Sequence, residues 1–259
     1  MTPAGAGEAP VPDTGWWATP FTAFGMSHGA MVLGCVVVTA VWILAGRRSA
    51  ARADLPGDGS IRGVGAGAIF VQQFLMQVYW LMPQRFEWSS TLPLHVCDLG
   101  AWLAGAALLS RARFLRVLTV YWGLALSTQA FITPTVADAP SSMQFWFYWL
   151  NHLAVTAPAC YFLVASGLRP TAKETWLAVL ATFSYVLVVA IVNGQTGWNY
   201  AFVGPSIAEK PTVVDHLGPY PLRVVWIMLI GTAAFWVVWT GTRIAGGARG
   251  SRDRTGGRP

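Results

Sequence analysis

The stretch "LPLHVCDLGAW", residues 92–102, places a histidine, a cysteine and an aspartate within four positions of an otherwise apolar run. Each can do chemistry. A cysteine thiolate is a nucleophile. A histidine gains or loses a proton near neutral pH. Titratable groups are costly in hydrocarbon and tend to be functional there. A second set closes the segment "FWFYWLNH", residues 145–152, with Asn151 and His152. Cys97 and His152 are the types a thiol nucleophile and its base require, and what matters for such a pair is nearness in the fold, not in sequence. His95 and Asp98 are three apart and share a helix face.

Each group also has a structural reading. A cysteine in an apolar helix is usually a small packing residue, and Cys35 and Cys160 read that way. His152 could be held by a hydrogen bond to another helix. Asp98 could pair with Arg85 or Arg223, or act near a helix start where Ser89, Ser90 and Thr91 offer caps and Pro93 suits the first turn. Gln72, Gln73 and Gln77 read as interhelical glue, and Pro158 as a helix kink.

The elements that must position these groups are membrane helices. The chain has 259 residues, 54% hydrophobic and only 11% charged, with 14 tryptophans. A soluble domain carries roughly 25% charged residues. Seven apolar stretches are long enough to span, each needing about 20 residues: 27–45, 64–82, 93–109, 114–132, 144–167, 175–193 and 222–242. The reading is an all-α membrane protein, a seven-helix bundle over residues 26–243. Residues 1–25 read as a flexible tail and 244–259 as a disordered basic tail. The three cysteines are an odd, widely spaced set inside apolar runs, so no disulfide framework is expected.

Fourteen of the 17 basic residues fall in the loops and tail on one side of such a bundle, against Arg85, Lys210 and Arg223 on the other. That bias predicts the N-terminus outside and the C-terminus in the cytoplasm. The basic balance is therefore topology, and nucleic acid is not expected as a partner. With this orientation His95, Cys97 and Asp98 lie in the outer third of the third span, Cys97 roughly 6 Å below Pro93 at 1.5 Å per residue. Asn151, His152, Gln129 and Asn193 fall in the same half. Polar groups in a membrane must face one another or water, so one outer-leaflet polar cavity is expected, roofed by the long connection 193–221.

The segments "PLHVCDLGAW", "FWFYWLNH", "NGQTGWNYAFVG" and "LGPYPLR" resemble the YwaF-like family of bacterial integral membrane proteins over roughly residues 20–240. That family looks related to eukaryotic transmembrane phospholipid acyltransferases that work through a cysteine acyl-enzyme. It is similar, more distantly, to androgen-induced membrane hydrolases acting on lipid esters. The resemblance implies Cys97 as the acylated nucleophile and His152 as its partner. The expected protein is a multi-pass enzyme of the cell membrane, an acyltransferase or lipid-ester hydrolase. Its partner is a phospholipid or lysolipid, and no cofactor is called for. Asn151, Gln129, His95 and Asn199 are candidate donors to the acyl carbonyl, and Asp98 could orient either histidine. A transporter or small-molecule-binding protein is the alternative reading. A zinc hydrolase using His95, Asp98, His152 and His216 is a lesser one.

Overall fold

The computed structural model describes residues 15–51, 59–110, 112–207 and 212–255. Among them there are helices and connections but no strand. Seven long helices coincide with the seven apolar stretches: α1 (Met26–Ala51), α2 (Gly59–Trp80), α3 (Val96–Leu109), α4 (Arg113–Tyr121, continuing through Trp122–Leu126 and Gln129–Ile132), α5 (Met143–Val164), α6 (Ala172–Thr196) and α7 (Leu222–Thr255). Four segments are long and apolar enough to cross a membrane: Met26–Ala51, Arg113–Ile132, Ala172–Thr196 and Leu222–Ala245. The other three helices, α2, α3 and α5, carry Gln72, Gln73, Gln77, Cys97, Asp98, Asn151 and His152, with His95 at the N-cap of α3.

α3 is the short one. Its 14 residues rise only about 21 Å, against roughly 30 Å of hydrocarbon. It starts at Val96 rather than at Pro93, and its N-cap is His95, in extended conformation with no side-chain cap bond. Ser89, Ser90 and Thr91 do not cap it; the Thr91 hydroxyl instead accepts from the Glu87 N–H. The residues leading in are held by tyrosines from elsewhere. The Tyr200 hydroxyl accepts from the Leu92 N–H at 3.0 Å, and the Tyr185 hydroxyl donates to the Leu94 carbonyl at 2.5 Å. The helix therefore begins well inside the bundle, and its first turn brings the reactive residues with it.

At the opposite end arginines finish the helices. Arg62 donates to the carbonyls of Leu108 and Ser110, and Arg116 also reaches Ser110. Arg169 reaches Leu163 and Leu168. Carbonyls of a last turn lack intrahelical partners, and cations satisfy them. Arg113 bonds the Arg169 carbonyl and pairs with Glu174, which also closes a capping box with Thr171 at the start of α6. Four of the arginines expected on one side, Arg62, Arg113, Arg116 and Arg169, thus meet at one end; Arg52, Arg111 and Arg258 lie outside the described residues.

Between the ends the core is aromatic and aliphatic, with Tyr121, Trp122, Val155, Tyr161, Phe162 and Phe235 buried. α4 passes α5 at a π-helical turn, Trp122–Leu126. Gly123 sits there because a Cβ would come within 2.6 Å of the Ala159 Cβ and 2.7 Å of the Val155 carbonyl.

Within the expected N-terminal tail residues 15–20 are exposed, while Phe21 is anchored: the Ala137 carbonyl accepts from its N–H at 3.2 Å, and its ring is buried against Phe145 and Trp149. α7 is helical through the boundary at residue 244 and on to Thr255. Residues 1–14 and 256–259, also assigned to the tails, lie outside the described residues.

Candidate functional site

α2, α3 and α5 meet through a chain of side-chain hydrogen bonds. Gln73 Nε2 donates to Asn151 Oδ1 at 2.7 Å. Asn151 Nδ2 donates to Asp98 Oδ1 at 2.7 Å. The Cys97 thiol contacts the same Asp98 oxygen at 3.7 Å. Gln73 and Asn151 are buried, whereas Cys97 and Asp98 are half-buried. The direction of the chain is set by chemistry. Each amide donates an N–H to the next acceptor, and the chain ends on the Asp98 carboxyl in the first turn of α3.

Two half-buried histidines flank this chain. His95 lies within electrostatic range of Asp98 and of His152. His152 Nδ1 lies 2.7 Å from the Tyr148 carbonyl, one turn earlier in α5. A carbonyl can only accept, so Nδ1 carries the proton and Nε2 holds a free lone pair. The Tyr148 ring packs on His152 at 4.5 Å between centroids, and Cys97 lies within electrostatic range of Tyr148.

Both the thiol and His152 lie near Tyr148, and the direct partner of the thiol is Asp98. Among the described residues no hydrogen bond joins Cys97 to His152.

The structural reading of Asp98 as an arginine partner does not hold. Arg85 lies over the Tyr79 ring, 4.3 Å from its centroid, and Arg223 pairs with Asp215. Gln129 is exposed and bonds Thr133 of its own helix end. The π-helical turn is the reason. One extra residue rotates the rest of the helix by about 100°, one residue's share of a turn, and carries Gln129 off the inner face. Asn199 is also elsewhere. Its Oδ1 accepts from the Gly204 N–H at 3.0 Å and faces Arg223 at 3.5 Å.

The zinc ligand set does not assemble. Among the described residues no three His, Cys, Asp or Glu groups could hold a metal ion, and His216 is exposed. Cys35 is packed in an aromatic cluster with Phe21, Phe145 and Trp149.

The connection after α6 does roof the site. Asn193 bonds both the N–H and the carbonyl of Tyr200, which folds the loop back over α3. Fully buried Tyr200 then reaches Trp88 and Leu92, and the rings of Tyr200 and Phe202 pack on His95.

Residues 23–239 match the family model of the TMEM164 family. The chain belongs to the TMEM164 family. Comparison with curated proteins and with solved structures gives no match. The family match runs from ahead of α1 into α7, so it covers the polar site and its roof. Membership of this membrane family, together with the apolar helices, makes the chain a multi-pass membrane protein.

The roof of this TMEM164-family site hangs on one arginine. Arg223, fully buried at the start of α7, pairs with Asp215 and bonds Ser206 and the Gly204 carbonyl. The Ser206 hydroxyl first, then the Thr212 N–H and hydroxyl and Arg223, hold the Asp215 carboxyl down to about 2. Its folded value lies below the unfolded one. Its contribution is therefore full above pH ~4 and lost as pH falls toward ~2. Arg223→Met should release the loop, because Asp215, Ser206 and the Gly204 carbonyl lose their shared partner. Limited proteolysis between residues 199 and 218 reads both effects: faster cleavage in the variant, and in wild type a rise only below pH ~4. Equal cleavage rates in the two proteins would show that Arg223 does not hold the loop.

Proposed function

We propose that this protein transfers acyl chains between lipids of the cell membrane, crossing it seven times with the N-terminus outside and the C-terminus cytoplasmic. Cys97 is the nucleophile and His152 the base. The observation that carries the reading is a thiol held against a carboxylate inside the polar chain that joins α2, α3 and α5, in a bundle whose other buried contacts are mostly apolar. Packing alone does not call for a nucleophile, a carboxylate and a histidine with a free lone pair in one place. The match to the TMEM164 family spans residues 23–239 and so includes these residues, and the YwaF-like segments contain Cys97 and His152.

In the proposed reaction the Cys97 proton passes through one water to His152 Nε2, while Asp98 orients the thiol. The thiolate adds to the ester carbonyl of a phospholipid. The carbon–oxygen ester bond breaks, the leaving lysolipid oxygen takes the proton from His152, and the acyl chain stays on Sγ as a thioester. An acceptor lysolipid hydroxyl then gives its proton to His152, attacks the thioester and releases the thiolate. The half-buried faces of Cys97 and Asp98 suit a substrate arriving sideways from the outer leaflet.

Reconstitution tests it. Proteoliposomes holding phospholipid with a labelled acyl chain, given unlabelled lysolipid, should yield labelled phospholipid built on the added headgroup. Release of free fatty acid alone would make the protein a hydrolase, and no labelled product would end the enzyme reading. A C-terminal reporter should be active only on the cytoplasmic side; activity only outside would overturn the topology.

A further inference from the structure

The four histidines differ in what their ring nitrogens are bonded to. His28 is saturated: Nδ1 accepts from the Phe24 N–H at 2.9 Å and Nε2 meets the Phe131 carbonyl at 2.9 Å. Aromatic rings enclose it, and its role is structural. His216 is exposed on the loop. Only His95 and His152 sit in the site with a ring nitrogen to spare, and their spare nitrogens have opposite character.

His95 Nδ1 accepts a hydrogen bond from the backbone N–H of Ala201 at 3.3 Å. A nitrogen that accepts cannot carry a proton, so the proton of the neutral ring is on Nε2. His152 is the reverse, with Nδ1–H donating to Tyr148 and Nε2 bare. The donor to His95 lies at a strained place. Ala201 and Phe202 are consecutive non-glycine residues at φ 53° and 60°. Such conformations cost energy, persist where surroundings enforce them, and cluster at functional sites. Here the enforcement comes from Tyr200 and Asn193, and its result is an N–H aimed at an imidazole.

The other candidate donors to an acyl carbonyl are partly committed or remote. Asn151 spends an N–H on Asp98, Gln129 is exposed, and Asn199 presents its oxygen to Gly204 and Arg223. We propose that His95, fixed as its Nε2–H form by Ala201, is a catalytic residue that donates to the acyl carbonyl and to the oxyanion formed when Cys97 attacks. No proton leaves His95 in this step; it stabilises charge, and His152 moves the proton. The inference rests on the acyl-transfer reading above for its substrate, and on the backbone bond for its tautomer.

Two measurements on the full-length protein separate those supports. Nitrogen-15 NMR of histidine-labelled protein in nanodiscs, assigned by loss of a signal in H95Q and in H152Q, should show His95 protonated at Nε2 and His152 at Nδ1 at neutral pH. His95 protonated at Nδ1, or at both nitrogens, would overturn the proposal whatever the activity. Acylation of Cys97 should then fall by about 10²–10³-fold in His95→Leu, the loss typical of an oxyanion donor. His95→Gln, which keeps an N–H near Nε2, should recover part of it. The pH profile should keep its wild-type shape in both variants, because the lost group does not titrate in the step. A full-rate His95→Leu would remove the catalytic role. Correct tautomers with no acylation of wild-type protein would instead sink the acyl-transfer reading, and the donor role with it.

Discussion

His152→Ala slows acylation of Cys97 by about 10²–10⁴-fold, the contribution of a positioned general base. The expectation comes from its ring. Nδ1 is spent on the Tyr148 carbonyl, which leaves Nε2 as an unbonded acceptor, and the thiol lies near the same Tyr148. Raising the pH should narrow the gap between variant and wild type, because hydroxide then does part of the base's work. The rival base is Asp98, which contacts the thiol directly. Asp98→Asn keeps the size of the side chain and a hydrogen-bonding oxygen but loses the charge. If Asp98 only orients the thiol, acylation should be hurt less in Asp98→Asn than in His152→Ala. A His152→Ala protein at wild-type rate beside an inert Asp98→Asn protein would move the base role to the carboxylate.

Cys97→Ala abolishes lipid acyl transfer altogether, while Cys35→Ala and Cys160→Ala leave it intact. The three thiols differ in surroundings. Cys97 is the one on the polar chain, bonded to Asp98. Cys35 is buried among aromatic rings, and Cys160 comes just after Pro158 and Ala159 in the apolar half of α5. Thiols in apolar surroundings are inert. Labelled transfer in proteoliposomes, with melting temperature as a control for folding, checks all three. Wild-type transfer by a folded Cys97→Ala protein would remove the covalent route.

Much of this was legible in the sequence, for identifiable reasons. Helix positions can be read from hydropathy, because lipid leaves few other ways to satisfy a backbone. The clustering of His95, Cys97 and Asp98 with Asn151 and His152 comes from depth alone. The failures are rotational or local. Gln129 has the right depth but lies beyond a π-helical turn that no periodicity announces. Asn199 is in the right loop, yet the bonds between Asn193 and Tyr200 turn it toward Arg223. Gln73 was indistinguishable from Gln72 and Gln77 until the facing residue on α5 was known. Its Nε2 donates to both Asn151 and Gln72, while its Oε1 is buried without a partner among the described residues. Tautomers are hidden for a similar reason: the groups that fix them, Ala201 N–H and Tyr148 carbonyl, are backbone atoms that carry no sequence signal.

The proposed chemistry turns on a covalent acyl group on one sulfur. Peptide mass spectrometry of the wild-type protein recovered from phospholipid vesicles, with and without hydroxylamine, measures it directly. The expected result is a fatty acyl mass on the peptide containing Cys97, removed by hydroxylamine at neutral pH and absent from the peptides containing Cys35 and Cys160. An unmodified Cys97 across vesicles of every phospholipid class, in protein that transfers acyl chains, would contradict it.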